Sequence, residues 1–252
     1  MRRSSGRGLI ALLVAGLTAA ACTTPSEDGS ATLTVFAAAS LTEPFAALER
    51  RFEDTHPGVD VLLNLDGSPT LAQQIIEGAP VDVFASADEA TMRQVVSAGA
   101  VEGRPATFAT NTLTIAVAPG NPHRIRGLAD LAEPGLTVVV CAPRVPCGAA
   151  TERVQRAAGV ELTPASEEQN VKAVLAKVEA GVADAGLVYK TDVTARRRVE
   201  AVPFPESRQA VNTYPIATLA GAPRPGLARE FTELVLGEVG SRELSEAGFG
   251  TP

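Results

Sequence analysis

Two serines lie where a strand-like apolar run gives way to a helix-like pattern, and they are the first candidates for chemistry. Ser40 follows the run at residues 33–37, and Ser68 follows the run at residues 59–63. A serine at such a position is a natural helix N-cap. The first turn of a helix also presents unpaired N–H groups and the positive end of its dipole. Each serine therefore either caps its own helix and does nothing more or contributes to an anion site.

A third turn of the same kind contains two of the three cysteines. Residues 141–150, CAPRVPCGAA, predict a strand followed by a proline-framed turn into a helix. A disulfide between Cys141 and Cys147 is sterically feasible, and it would fix the amide groups around Cys147. Preorganised donors bind an anion better, although the cross-link would equally serve to stabilise a loop.

A helix start and a strand end form the fourth candidate region. Asn170 and Val171 open the helix pattern at residues 169–180, where apolar residues recur at intervals of three and four. Tyr189 ends a predicted strand and is one of only two tyrosines. Its hydroxyl either donates to an anion oxygen or belongs to ordinary core packing.

The elements that must position these groups alternate along the chain. Short β-rich apolar runs are separated by helix patterns, which predicts an α/β fold with mostly parallel sheets flanked by helices. The predicted strands cover residues 33–37, 59–63, 81–85, 113–118, 136–141, 185–189, 199–204 and 214–219. Ligands of such sheets bind beyond the carboxyl ends of the strands, so the four candidate regions are expected to face one crevice.

The domain organisation must come from topology, because the interior contains no long linker or repeat. Extended, moderately polar segments near residues 111–114 and 210–214 predict two crossings between lobes. One lobe would then comprise residues 32–110 plus 213–252, and the other residues 111–212.

The N-terminus has the layout of a secretory signal peptide over residues 1–21, with basic residues, an apolar run and small residues before Cys22. The small residues resemble a bacterial lipobox, which predicts lipidation of Cys22; an ordinary cleavage site is the alternative. Residues 22–31 predict a flexible tether. The protein is thus expected to be exported and anchored at the outer face of the cytoplasmic membrane.

Charge and composition exclude several classes of protein. Without residues 1–21 the chain keeps 19 basic and 29 acidic side chains, a formal charge of −10, which argues against nucleic-acid binding. About 220 residues remain, enough for one large or two small domains. We expect a monomer that does not bind nucleic acid.

A secreted serine hydrolase is the alternative from another functional class, since serines at strand-to-helix turns also suggest a nucleophile. The sequence contains no G-x-S-x-G motif, and its two histidines, His56 and His123, lie in turn-like contexts without a triad pattern. Two isolated histidines also provide no metal-ligand cluster. The sequence therefore predicts no enzyme, no metal site and no cofactor.

Four segments taken together resemble the periplasmic molybdate-binding proteins of ABC transporters. They occur in family order and at family-like spacing: TVFAAASLTEPF, GSPTLAQQIIEGAPVDVFASAD, APRVPCGAA and NVKAVLAKVEAGVADAGLVYKTD. The resemblance covers nearly everything after residue 31. It implies a two-lobed periplasmic-binding-protein fold of type II with molybdate or tungstate in the interlobe cleft. It also implies delivery of the anion to an ABC-type membrane permease.

The resemblance further implies which residues donate hydrogen bonds to the anion. They are Ser40, Ser68, Cys147, Val171 and Tyr189. The position of Cys147 is often alanine in the family, and Pro69 lacks an N–H that relatives have. A site made only of donors would discriminate against protonated phosphate, because nothing would accept its hydrogen. The residues alone leave sulfate and phosphate open as alternative ligands.

Overall fold

The computed structural model describes residues 31–194 and 198–252. The predicted signal peptide and Cys22 lie outside the described residues, as does the tether except for its last residue. That residue, Ala31, already belongs to the first strand. The predictions for the N-terminus therefore stay predictions.

The first sheet has five strands in the order β2-β1-β3-β10-β4. Four of them, β1 to β4, run in the same direction, and β10 runs antiparallel to both of its neighbours. The strands are β1 (Ala31–Ala38), β2 (Val59–Asp66), β3 (Val83–Ala85), β4 (Ala106–Asn111) and β10 (Asn212–Thr218).

The second sheet repeats this design with the order β7-β6-β8-β5-β9. Again four strands share one direction, and β5 is the antiparallel one. The strands are β5 (Leu113–Val117), β6 (Val138–Cys141), β7 (Ser166–Glu168), β8 (Ala185–Tyr189) and β9 (Glu200–Val202). The prediction of mostly parallel sheets is confirmed for both lobes.

Eight α-helices flank the sheets in the described ranges, and three short 3-10 helices accompany them. The α-helices are α1 (Thr42–Thr55), α2 (Ser68–Ile76), α3 (Glu89–Ser97), α4 (Pro146–Ala158), α5 (Val171–Glu179), α6 (Lys190–Thr194), α7 (Pro225–Leu236) and α8 (Glu238–Glu246). The 3-10 helices are Ala39–Leu41, Leu128–Ala132 and Pro205–Gln209. Within residues 31–194 and 198–252, no helix is long and apolar enough to span a membrane.

The first sheet packs against two hydrophobic clusters and the second sheet against one. In the first lobe Phe45 and Phe52 of α1 make edge contacts with Phe231 of α7, with ring centroids 6.1 and 5.4 Å apart. The second lobe is filled by aliphatic residues, among them Ile115, Leu187 and others that are fully buried. The α/β class and the two-lobed architecture are thus confirmed. The lobe boundaries of residues 32–110 plus 213–252 and 111–212 remain our proposal.

Two strands were not predicted from the sequence. β4 reads ATFATN and β7 reads SEE, so neither has the apolar character of a buried strand. Both lie at the edge of their sheets, where β10 and β6 hold them through the backbone ladder. Pairing with an established neighbour therefore overrides their weak β-propensity.

Candidate anion-binding site

A small cavity lies between the two lobes, and all five residues that the family resemblance implied are among its thirteen lining residues. We call it the interlobe cavity. From the first lobe it is lined by Ala38, Ala39, Ser40, Asp66, Gly67, Ser68 and Ala87. From the second lobe it is lined by Val145, Pro146, Cys147, Asn170, Val171 and Tyr189. The structure thus brings together all four regions that were singled out in the sequence.

Helix starts dominate the wall of the cavity. The 3-10 helix that leads into α1, and helices α2, α4 and α5, all begin at lining residues. The first-turn amides of a helix have no intrahelical partner. Within the described chain, the amides of Ser68, Cys147 and Val171 have no protein acceptor either. The cavity therefore collects unpaired N–H donors together with the positive ends of several helix dipoles.

Both serines are buried in the cavity wall, but neither is an N-cap, so that prediction was wrong. Ser40 lies inside the 3-10 helix, and its hydroxyl is 2.9 Å from the Tyr214 hydroxyl. Ser68 is the first residue of α2, behind Gly67 as the N-cap, and its Oγ accepts a hydrogen bond from Ala87 N at 3.0 Å. The hydroxyls are held by tertiary partners instead. Because Ser68 Oγ accepts here, its own proton remains available to a ligand.

The turn into α4 is fixed by a disulfide and by a close backbone approach. Cys141, at the end of β6, is joined to Cys147, the second residue of α4, as predicted. A Cβ placed on Gly148 would lie 1.9 Å from the Ala142 carbonyl oxygen, so only glycine fits there. Both constraints hold the Cys147 amide in place at the cavity wall, which reduces the ordering needed when a ligand binds.

Reducing this disulfide should destabilise the protein and weaken its binding site together. The cross-link closes a short loop, for which the chain-entropy estimate is about 2 kcal/mol. We expect Tm to fall by about 4–8 °C in reductant, with a measurable loss of anion affinity. Calorimetric unfolding with and without reductant measures the change. The double variant Cys141→Ser, Cys147→Ser should show the lower Tm and should not respond to reductant. If neither reduction nor the double variant changes Tm, the disulfide does not stabilise the protein.

The start of α5 is capped in a way that leaves its first amide open. Asn170 Oδ1 accepts a hydrogen bond from Ala173 N at 3.0 Å, while its Nδ2 donates to Asp66 Oδ1 at 2.7 Å in the other lobe. The cap satisfies the amide at the third helical position. Val171, at the first helical position, lines the cavity, and its amide has no acceptor within the described chain.

Tyr189 is almost completely buried, and its ring packs edge-on against Tyr214 with centroids 6.1 Å apart. Burial is the main cause that raises the pKa of Tyr189 well above its usual value. The same cause raises the pKa of Tyr214. Both phenols therefore stay protonated and serve as hydrogen-bond donors at any physiological pH.

The charge of the wall is unusual for an anion site. None of the thirteen lining residues is lysine or arginine, and Asp66 is the single ionisable one with a formal charge. Its Oδ1 accepts from Gly67 N and from Asn170 Nδ2, both at 2.7 Å. The site is therefore not made only of donors, contrary to expectation, because this carboxylate is an acceptor in its wall.

The size of the cavity limits its guest. Its volume is about 20 Å³, counted as the space open to the centre of a water molecule. A sphere of that volume has a radius of about 1.7 Å, so adding a water radius of about 1.4 Å leaves room for a guest of about 3 Å radius. A single tetrahedral oxyanion has this size. An amino acid or a sugar does not fit while the lobes are this close.

The lobes are in direct contact around the cavity. A Cβ placed on Gly67 would lie 2.3 Å from the Gln169 carbonyl oxygen of the other lobe. The hydrogen bond between Asn170 and Asp66 crosses the same gap at 2.7 Å. The described conformation is therefore a closed one, in which the cleft has shut over the cavity.

A charge network lies beside these contacts, made of buried Asp192 and the partly exposed Lys172 and Glu43. Lys172 Nζ donates to Glu43 in the first lobe, at 2.9 and 3.1 Å from its two carboxylate oxygens. The same Nζ is 3.0 Å from Asp192 Oδ1. That oxygen accepts no hydrogen bond within the described chain, so we regard this second contact as electrostatic. Burial raises the pKa of Asp192 to about 6, against the lowering effect of Lys172.

Replacing Lys172 with methionine should weaken closure of the lobes. The variant keeps the length of the side chain but removes the ion pair to Glu43, and partly exposed pairs of this kind contribute up to about 1 kcal/mol. It also removes the contact with Asp192 of the same lobe, which should lower Tm but does not bridge the lobes. We expect an anion affinity that is lower by up to about fivefold, with most of the change in the dissociation rate. Stopped-flow binding measures both rates.

Lys177→Met is the matched control for this variant. Lys177 lies on the same helix but pairs with Glu168 in its own lobe. Its loss should leave the dissociation rate unchanged. Equal effects of the two variants would show that Lys172 does not act between the lobes.

The two histidines lie away from the cavity. His56 Nε2 is 2.8 Å from Glu230, and this hydrogen bond is the main cause that raises the pKa of His56. His123 Nε2 is 3.0 Å from Asp184. Neither histidine lines the interlobe cavity or contacts its serines. Over the described ranges, no group of three or more metal-ligating side chains is found. This arrangement does not favour the serine-hydrolase alternative.

Comparison with known proteins agrees with the site. Residues 33–250 match the family of bacterial extracellular solute-binding proteins. The molybdate-binding protein ModA of Mycobacterium tuberculosis H37Rv is 47% identical over 97% of each chain. The molybdate-binding protein ModA of Escherichia coli K12 is 32% identical over 75% of this chain and 77% of the relative.

Solved structures show the same fold. The periplasmic molybdate-binding protein of Azotobacter vinelandii superimposes with a TM-score of 0.77 at 22% identity, covering 87% of this chain and 99% of that one. The sulfate-binding protein SubI of Mycobacterium tuberculosis H37Rv gives 0.75 at 20% identity, with coverages of 87% and 86%. The resemblance drawn from the sequence motifs is thus confirmed. The chain belongs to the family of bacterial extracellular solute-binding proteins, and the molybdate-binding proteins of ABC transporters are its relatives within that family.

Proposed function

We propose that this protein captures molybdate in the interlobe cavity and delivers it, chemically unchanged, to an ABC-type membrane permease. One observation supports the proposal most: five residues from both lobes, Ser40, Ser68, Cys147, Val171 and Tyr189, meet in a single small cavity between the lobes. The relatives named as molybdate-binding proteins, one of them 47% identical over almost the whole chain, support molybdate as the ligand. Tungstate, with the same charge and nearly the same shape, is expected to bind as well.

Hydrogen bonds compensate the charge of the dianion. Bonds to a charged acceptor are each worth about 1.5–3 kcal/mol, and the donors here are three hydroxyls and the first-turn amides. The helix dipoles add favourable potential at the same place. The donors come from both lobes, so the anion favours the closed conformation to the extent that it binds that conformation more tightly. The permease would then recognise the closed form.

Another oxyanion is the second candidate, and Asp66 is the observation that favours it. A carboxylate in the wall repels a dianion, but it accepts the hydrogen of a monoprotonated oxyanion such as hydrogen phosphate. Asp66 Oδ1 already accepts two hydrogen bonds, so only its second oxygen is free for such a role. The relative named as a molybdate-binding protein, 47% identical over almost the whole chain, outweighs this observation, and we favour molybdate.

Calorimetric titration of residues 32–252 tests the proposal. Molybdate, tungstate, sulfate and phosphate are titrated in turn at equal ionic strength. One-to-one binding of the first two without heat from the others is the expected result. Preferential binding of sulfate or phosphate would keep the fold but replace the ligand, and silence from all four would overturn the proposal.

We also propose that the protein is a monomeric lipoprotein on the outer face of the cytoplasmic membrane. The extracellular character of the family supports export, and the small residues before Cys22 support lipidation. Mass spectrometry of the mature protein tests this directly. A lipid-modified N-terminal Cys22 is expected, and an unmodified N-terminus at another residue would contradict it.

A further inference from the structure

Asn212 is buried behind the cavity wall and connects three of its segments. It is the first residue of β10 and is 2% exposed, and it is not itself a lining residue. Its Nδ2 donates to the Ala87 carbonyl and to the Tyr189 hydroxyl, both at 2.9 Å, and is 3.4 Å from the Pro146 carbonyl. One side-chain amide thus contacts the first lobe, the start of α4 and the Tyr189 hydroxyl.

The orientation of this amide is fixed from the opposite side. Arg153, on α4, donates from its guanidinium to Asn212 Oδ1 at 2.9 Å. A guanidinium has no acceptor, so the amide oxygen must face Arg153 and the amide nitrogen must face the cavity wall. The amide cannot flip without placing two donors against each other.

The bond to Tyr189 has a directional consequence. A phenol has one proton to donate, and its oxygen is already accepting from Asn212. Its proton must therefore point to another acceptor. Tyr214, whose ring packs against that of Tyr189 with centroids 6.1 Å apart, offers a neutral hydroxyl oxygen, whereas an oxyanion is a stronger acceptor.

We propose that Asn212 is a positioning residue of the anion site: its amide, held by Arg153, turns the Tyr189 proton toward the bound oxyanion. The proposal rests on the anion site described above. Because the Tyr189 oxygen accepts from Asn212, its proton is left for the ligand. The proposal also gives the otherwise unexplained contact of Arg153 with a buried amide a role.

A double-mutant cycle tests this mechanism, because residues that act through each other give non-additive losses. Asn212→Ala and Tyr189→Phe are each expected to lower molybdate affinity by about 10- to 100-fold. The double variant should bind molybdate about as tightly as whichever single variant has the lower affinity. Losses that multiply would overturn the proposal, as would wild-type affinity in Asn212→Ala. Failure of the wild-type protein to bind any oxyanion would instead refute the proposed function.

Arg153→Met provides a second route if Asn212→Ala does not fold. This variant frees the Asn212 amide without removing it. The loss of molybdate affinity that it causes should also disappear in the Tyr189→Phe background. Arg156→Met, one turn further along α4 and paired on the surface with Glu152, is the matched control and should bind normally. A loss from Arg153→Met that persists in full in the Tyr189→Phe background would overturn the proposal.

Tyrosine absorption gives a readout that a merely structural role would not change. The chain has no tryptophan and only two tyrosines, and both lie at the site. The tyrosine band of the near-ultraviolet difference spectrum on molybdate addition therefore reports Tyr189 and Tyr214. Arg153→Met should alter this spectrum at saturating molybdate, whereas Arg156→Met should not. Identical spectra from Arg153→Met and the wild type would contradict the proposal.

Discussion

Replacing Gly67 with alanine is expected to lower molybdate affinity by at least about 100-fold while leaving the fold intact. The added Cβ would stand 2.3 Å from the Gln169 carbonyl oxygen of the other lobe. Closure must then stop about 1 Å short, which breaks the bond between Asn170 and Asp66 and pulls the donors of one lobe off the anion. Loss of even two charge-assisted hydrogen bonds is worth about 3 kcal/mol or more. Calorimetric titration with molybdate measures the affinity, and a Tm measurement shows whether the fold is intact.

The backbone of Gly67 permits this substitution, since its φ is −58° and its ψ is 130°. Nothing in its own lobe is close to the added Cβ, so the unfolding free energy should change little. Gly226→Ala, in α7 of the same lobe with open space around it, is the matched control and should bind like the wild type. An unimpaired Gly67→Ala variant would mean that the closed conformation is not the one that holds the anion.

Changing Ser40 and Ser68 together to alanine should have the second large effect. Each hydroxyl that donates to the dianion contributes about 1.5–3 kcal/mol, so the double variant is expected to bind about 10²- to 10⁴-fold more weakly. The amides of the same turns remain, and residual binding should therefore be detectable. Calorimetric titration with molybdate measures the loss.

Loss of a buried hydroxyl also costs stability, and the control must share that cost. Ser207 is a buried serine whose hydroxyl donates to the Phe204 carbonyl at 2.7 Å, outside the cavity. Ser207→Ala should lower Tm modestly and leave affinity intact. If the double variant of Ser40 and Ser68 binds as tightly as this control, the two hydroxyls do not contact the ligand.

Much of this architecture is visible in the sequence because it is locally encoded. Apolar runs such as residues 33–37 and 185–189 mark strands that are buried on both faces, and their alternation with helix patterns is what an α/β fold requires. The four candidate regions were found for the same reason, since three of them join a strand pattern to a helix pattern and the fourth combines a helix start with a strand end. Every one of them lines the interlobe cavity.

The remaining features depend on contacts that no local pattern reports. Asn212 meets Ala87, Pro146 and Tyr189, which lie 125, 66 and 23 residues away. The N-cap prediction for Ser40 failed for a similar reason, because Tyr214 is 174 residues away in sequence and 2.9 Å away in space. Asp66 was overlooked because its role depends on Asn170 of the other lobe.

The repeated strand order of the two sheets has a kinetic consequence. Equivalent turns place Ser40 and Ser68 in one lobe, and Cys147 and Val171 in the other, at the cavity wall, so in the proposed function each lobe forms one half of the anion site. Once one half holds the anion, the effective concentration of the other is set by the connecting strands rather than by the solution. The residence time of the anion then depends on how often the two halves separate, and a lobe expressed alone would hold it only weakly.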